Sequence, residues 1–235
     1  AGTGSGTLVL NSVATAASDG SVEVGGPFAV SGFRGGVTLH AQCRAQSASQ
    51  TADGTGELRF VGAPAGNAGL AVNDPNATLA IDATRLTAQR GVNASIQVPG
   101  ALTLTASGPA QSPQAAQLGA ALQLQAQSVD FGGRIDLPAG AVRISATGTD
   151  PTQHNDVTLK TGSLIRVAGT TQTFASTSAD VSAGSIALSS AGGSVVAQSG
   201  STLDLRGAGT QGDAGALQAS ATRGSVQLGG DVLAV

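Results

Sequence analysis

The chain has 235 residues, 35 of them Gly, with 40% hydrophobic residues and neither Met, Trp nor Tyr. Five Phe, one Lys and two Glu leave little for a core of large side chains or for long helices, so a narrow interior of Ala, Val, Leu and Ile is expected. A net charge of -3 with ten singly scattered arginines offers phosphate no basic stripe, and no apolar run nears the ~20 residues of a membrane helix. Neither a nucleic-acid partner nor membrane insertion is expected.

Aliphatic doublets of the form Leu-x-Leu run the length of the chain. They are Leu8/Leu10, Val22/Val24, Val37/Leu39, Leu58/Phe60, Leu79/Ile81, Ile96/Val98, Leu102/Leu104, Leu122/Leu124, Val129/Phe131, Ile135/Leu137, Val142/Ile144, Val157/Leu159, Ile186/Leu188, Leu203/Leu205 and Val226/Leu228. A period of two puts both members of a doublet on one face of an extended strand and the residue between them on the other. Strands this short bury their apolar edge only by stacking on copies of themselves, which is the logic of a solenoid. Leu102/Leu104, Leu122/Leu124 and Val142/Ile144 return every 20 residues, and Val157/Leu159 follows after 15. That spacing predicts coils of about 20 residues, about 11 or 12 of them, in a stack roughly 50–60 Å long at ~4.8 Å per coil. Bends at Gly132-Gly133 and Pro138-Ala139-Gly140 separate three short strands within one coil. The pattern describes an all-β, right-handed parallel β-helix better than its rival, an antiparallel sandwich. In this register Leu124, Ile144 and Leu159 share one interior column and Arg143 points outward.

Segments 44–55, 62–77, 107–116, 147–156, 168–179 and 207–215 break the pattern and are rich in small and polar residues. They read as corner-loop insertions in a single β-helix spanning 1–235. Apolar sequence continues to Val235 with no polar helix to close the stack. The chain thus reads as a segment of a longer protein, and end-to-end self-association is expected.

Residues with chemical potential are few. Cys43 is the only cysteine and falls in phase with Val37, Leu39 and Ala41, so it reads as a buried thiol outside any disulfide or metal site. Gly207-Ala208-Gly209-Thr210-Gln211-Gly212 matches the dinucleotide fingerprint in spelling, but it leads into strand-like Leu217-Gln218-Ala219 where the motif requires a helix. It is expected to be a glycine corner. Asp82, Asp130, Asp136 and Asp204, with Arg134, Arg143 and Arg206, are expected on one exterior sheet. There they either solvate a flat surface or form a polysaccharide-cleaving face, and the absence of Trp and Tyr favours solvation. His40 is expected to be exposed, and His154 lies in a loop whose Asp150, Asn155 and Asp156 carry oxygen ligands without the spacing of a calcium site. Two lone histidines without close partners form neither a triad nor a zinc site. Asn76-Ala77-Thr78 and Asn93-Ala94-Ser95 spell the N-glycosylation triplet, which recurs by chance in such a composition. The expectation is a protein with no catalytic, cofactor-binding or metal-binding residue.

The phrasing Ala179 to Leu188, Gly193-Ser194-Val195 through Ser201-Thr202-Leu203-Asp204-Leu205, and Gly212-Asp213-Ala214-Gly215-Ala216-Leu217 resembles large filamentous-haemagglutinin-like exoproteins. The likeness extends over about residues 100–235. It implies a shaft segment of a secreted or surface-exposed bacterial adhesin, exported through an outer-membrane two-partner transporter. Such a segment supports adhesion through a ligand on a host cell or another bacterium. The family's Asn-Pro-Asn-Gly secretion signature and specialised C-terminal domains are not in this sequence.

Overall fold

The computed structural model describes residues 5–14, 19–42, 55–108, 118–175 and 177–235. Cys43 and most of the segments at 44–55 and 107–116 lie outside them. The described residues contain strands, turns and no helix. The doublets become the cores of strands, and the chain winds through them as successive coils. The first coil holds β1 (Leu8–Val13), β2 (Val22–Val24) and β3 (Pro27–Val30), and the second β4 (Val37–Gln42), β5 (Leu58–Phe60) and β6 (Asn67–Val72). The third holds β7 (Leu79–Ala83), β8 (Leu86–Ala88) and β9 (Asn93–Gln97), and the fourth β10 (Ala101–Thr105) and β11 (Ala121–Ala126). The fifth holds β12 (Ser128–Gly132), β13 (Arg134–Asp136) and β14 (Ala141–Ala146). The sixth comprises β15 (Val157–Leu159), β16 (Leu164–Arg166), a hairpin of β17 (Thr171–Phe174) and β18 (Thr177–Asp180), and β19 (Ser185–Ser190). The seventh holds β20 (Val195–Ala197), β21 (Thr202–Asp204) and β22 (Ala216–Ala221), and the last β23 (Val226–Leu228) and β24 (Asp231–Leu233).

The coils stack into a parallel β-helix of three parallel sheets. Sheet 1 runs β1-β4-β7-β10-β12-β15-β20-β23, sheet 2 β2-β5-β8-β13-β16-β21-β24, and sheet 3 β3-β6-β9-β11-β14-β19-β22. Among the described residues the fourth coil contributes no strand to sheet 2. There β8 and β13 pair directly, with Ile135 opposite Leu86. The interior is an unbroken aliphatic ladder in which Phe60 and Phe131 are the largest fully buried side chains. Every doublet from Val37/Leu39 to Leu203/Leu205 is buried.

The coil is longer than the expected 20 residues. Sheet 1 partners are 23 residues apart from Leu79 to Leu102 and 42 apart from Val37 to Leu79. Eight strands at ~4.8 Å spacing make a stack of roughly 35 Å. The 20-residue interval is a true coil only from Leu122 to Val142, because Leu102 lies in sheet 1 and Leu122 in sheet 3. Leu159 likewise leaves the proposed column. Leu124 stacks on Ile144, whereas Leu159 follows Phe131 in sheet 1. The segment 62–77 is a corner followed by β6, and 168–179 holds the hairpin, so neither is only a loop. The bends after β5 and β13 share one solution. In Ala63-Pro64-Ala65-Gly66 and Leu137-Pro138-Ala139-Gly140 the closing glycine N–H donates to the first carbonyl (2.8 and 2.9 Å), and the Ala takes φ of 61° and 51°. This is a type II turn with alanine in glycine's usual place.

Candidate functional site

In five of the seven sheet 2 strands the outward residue between two interior ones is charged (Glu23, Arg59, Asp136, Arg166 and Asp204), in β8 it is Thr87 and in β24 Leu233, and Glu57 and Arg85, each just before a strand, complete a ladder of alternating sign. From the first coil, Glu23 accepts from Arg59 Nη1 at 3.0 Å, and Arg59 Nη2 donates to Glu57 Oε2 at 3.2 Å. Glu57 is fully buried and takes a hydrogen bond from Arg85 Nε at 2.6 Å and from Thr87 Oγ1 at 3.1 Å. Arg85 reaches Asp136 across the skipped fourth coil at 3.5 Å. Asp136 then accepts a two-pronged contact from Arg166 at 3.1 and 3.0 Å, and Asp204 an equivalent one from Arg206 at 2.9 and 2.8 Å. Glu57, Arg85, Asp136 and Asp204 are all buried. Burial alone would raise the Asp204 carboxyl, but the hydrogen bonds from Arg206 and the charges of Arg206 and Arg166 outweigh it and hold it below the ordinary range. Asp19 is lowered in the same way, its burial offset by Ser21, Arg59 and Thr55.

Such a ladder adds little net stability over apolar side chains of the same volume, but removing one member strands a buried charge. Its chemical capacity is thus positional: it fixes which residue faces which from coil to coil. A shift of two residues would keep the core face inward yet set Asp136 beside Leu164 or Ala168 instead of Arg166.

The four aspartates expected on one sheet divide between two. Asp136 and Asp204 belong to this ladder, whereas Asp82 and Asp130 lie on sheet 1; Arg134 and Arg206 sit on the sheet 2 side and Arg143 on sheet 3. The histidines stand beside carboxylates, although His40 Nδ1 makes no hydrogen bond. His40 Nδ1 is 3.6 Å from Asp82, which also accepts from Thr105, and His154 lies between Asp156 (3.3 Å) and Asp130 (3.8 Å). Asp130 is also paired with Lys160 at 3.0 Å. These partners come from neighbouring coils, or from the corner leading into one, so linear spacing conceals most of them.

In the loop at 147–156, Asp150 spends its carboxylate on the N–H and hydroxyl of Thr152 (2.9 and 2.7 Å) and on Gln153 (3.1 Å), which lowers its pKa. Asp156 accepts from the Ser194 N–H. These oxygens point at protein donors and not at a common centre, and no group of three or more His, Cys, Asp or Glu among the described residues is placed to hold a metal ion. The glycine-rich 207–212 segment is a corner, and its amides already hold an anion. Asp180 Oδ2 accepts from the N–H of Thr210 (3.1 Å) and of Gln211 (3.4 Å), and Thr171 donates to Oδ1. The hydrogen bond from Thr171, with those two amides, draws the Asp180 pKa down. A protein carboxylate thus sits where a phosphate would have to go.

The outward strand positions of sheet 3 carry no carboxylate. They present Gln97, Gln123, Gln125, Ser145, Ser189 and Ser220 around Arg143, with Ser189 donating to Ser145 at 3.0 Å. Linear reading missed the sheet 2 ladder, although Leu58-Arg59-Phe60, Ile135-Asp136-Leu137, Ile165-Arg166-Val167 and Leu203-Asp204-Leu205 each hold a charge between two core residues. Comparison with known proteins finds no matching family model, curated protein or solved structure.

Proposed function

We propose that the chain is a structural shaft segment of a secreted or surface-exposed bacterial adhesin of the filamentous haemagglutinin type, holding other regions of that protein toward a host cell or a neighbouring bacterium. The observation that carries this reading is the coincidence of two ladders: an aliphatic one through the interior and a charged one along sheet 2 whose ion pairs tie the first, second, third, fifth and sixth coils together. Load along the axis is then shared by backbone ladders and core throughout and, from the first coil to the sixth, by ion pairs as well. In this reading an outer-membrane transporter passes the chain outward unfolded, and each emerging coil finds a template in the one before it.

Stretching single molecules from their two termini tests the reading. A shaft of this kind yields a series of steps, each releasing one coil of 20–44 residues, or roughly 65–160 Å of chain at ~3.3–3.6 Å per residue. One all-or-none release of the whole chain at low force would argue against it. Saturable stabilisation by an acidic polysaccharide would argue instead for a polysaccharide-binding protein.

A further inference from the structure

We infer that the peptide bond between Asp150 and Pro151 is a self-cleavage site, with the Asp150 carboxylate attacking its own carbonyl carbon and two fixed donors receiving the charge that develops on the carbonyl oxygen. The inference rests on the fold and stands apart from the adhesin reading. The bond lies in the corner between β14 and β15, where Asp150, Pro151, Thr152 and Gln153 are exposed to water. Its carbonyl oxygen accepts from the Gln153 N–H at 3.1 Å and from Asn155 Nδ2 at 2.5 Å. Two donors converging on one carbonyl oxygen are the geometry of an oxyanion hole. The nucleophile is held too: Oδ1 accepts from the N–H and hydroxyl of Thr152 and Oδ2 from Gln153 Nε2, and Gln153 is itself tied down by Gln127. Those bonds, the Thr152 N–H first, keep the Asp150 carboxyl below its ordinary pKa, so it remains an anionic nucleophile in mildly acidic water. Attack within one residue also has the high effective concentration of an intramolecular reaction.

Asn155 is the member that a plain turn does not require. Its side chain is buried, and with Nδ2 on the Asp150 carbonyl its Oδ1 has no hydrogen-bond partner in the protein, which is costly. The fold makes room for it: a Cβ on Gly148 would stand 2.0 Å from that oxygen, and Ser190 on β19 donates to the Asn155 carbonyl at 2.7 Å. Of the charged groups around the loop, Arg223 donates to the Thr149 carbonyl at 3.3 Å, and His154 lies between Asp130 and Asp156. The chain's other Asp-Pro bond, Asp74–Pro75, lacks this setting. Its carbonyl accepts one N–H, from Ala77 at 3.1 Å, and its carboxylate is buried on the Phe33 N–H at 2.9 Å.

In the reaction an Asp150 carboxylate oxygen bonds to the carbonyl carbon and closes a five-membered cyclic anhydride. The bond to Pro151 breaks, and the nitrogen keeps the electron pair and takes a proton from solvent; being a tertiary amide, it leaves as a secondary amine. Water then opens the anhydride. The net change is one water added, a free α-carboxyl on Asp150 and Pro151 as a new N-terminus. Strands on both sides of the cut stay paired, β12 with β15 and β14 with β19, so the stack is nicked without coming apart.

The test incubates the 235-residue chain at about pH 4.5, with circular dichroism confirming that it stays folded, and follows it by mass spectrometry in denaturant. Two pieces, 1–150 and 151–235, should accumulate, together one water heavier than the parent, while Asp74–Pro75 stays intact. Cleavage at Asp150–Pro151 should be at least about tenfold faster in the folded chain than in the same chain held unfolded in urea at that pH. Asp150→Asn should abolish it. Asn155→Ala should slow it by about 10²-fold, the usual cost of removing one oxyanion donor. Thr152→Val, at an exposed position that keeps its backbone N–H, should slow it by a smaller factor without altering the fold. No cleavage, equal rates at the two Asp-Pro bonds of the folded chain, a rate in urea as high as in the folded chain, or a piece ending at residue 150 from Asp150→Asn would each overturn the proposal.

Discussion

Sheets 2 and 3 cover the same aliphatic interior and differ on their outer faces. Sheet 2 carries a ladder of alternating charge from Glu23 to Arg206 in which Glu57, Arg85, Asp136 and Asp204 are buried, whereas sheet 3 carries amides, hydroxyls and one exposed arginine. The difference separates two tasks that one strand performs at once. The inward doublet supplies the free energy of folding, and it would do so in several registers, since Leu, Ile and Val substitute for one another along the ladder. The outward residue on sheet 2 discriminates among those registers because a misplaced buried charge is costly, while that on sheet 3 discriminates little.

The sharpest break of this comparison lies beneath sheet 3. Ile144→Asp places an unpaired carboxylate in a fully buried column and should cost roughly 5 kcal/mol or more in urea unfolding, enough to open the central coils. Next is the ladder itself. Arg85→Met leaves Glu57 with Arg59 and Thr87 and Asp136 with Arg166, each buried carboxylate one partner short, with an expected loss of about 3 kcal/mol; adding Glu57→Met and Asp136→Leu should recover most of it, as apolar replacement of a buried cluster does. If the triple variant were as unstable as Arg85→Met, the ladder would be a net source of stability and not a selector of register.

Acid should act on the sheet 2 face before the core. Asp19 and Asp204 have folded pKa values below their unfolded ones, so their contribution is complete above the unfolded value of about 4 and is lost as pH falls through the lower folded value. Thermal melts should therefore be nearly flat from pH 7 to about 5 and decline below about 4. Asp204→Asn should weaken that decline. The smallest effect belongs to sheet 3, where Arg143→Asp, one position from Ile144 but outward and exposed, should change stability by less than about 1 kcal/mol.

Much of the fold was legible because a period of two is a local signal. Each doublet from Val37/Leu39 to Leu203/Leu205 lies in the core, and Gly132-Gly133 and Pro138-Ala139-Gly140 are bends. Assigning a doublet to its sheet is a long-range matter. Leu102, Leu122 and Val142 look like one repeat, yet the first belongs to sheet 1, because corner length varies from coil to coil and carries no periodic mark. The same lack of register hid the site. Arg85 stands just before the pair Leu86/Ala88, which contains an alanine and so does not read as a doublet. Its partners Glu57 and Asp136 are 28 and 51 residues away. Asp180 and the 207–212 corner are joined only by the hairpin's placement, which no local motif announces.

The central claim is that coils stack in the register described, and a pair of engineered disulfides tests it most directly. Gln123 and Arg143 are outward register partners on sheet 3, and neighbouring strands at ~4.8 Å fall within the Cα range of ~4.4–6.8 Å that a disulfide spans. With Cys43→Ser, the Gln123→Cys, Arg143→Cys chain should oxidise readily to an intramolecular disulfide without loss of the native circular dichroism. Thr103→Cys with Gln123→Cys, the pair that a uniform 20-residue coil would align, should stay reduced. The reverse outcome, with 103 and 123 cross-linked and 123 and 143 free, would contradict the stacking described.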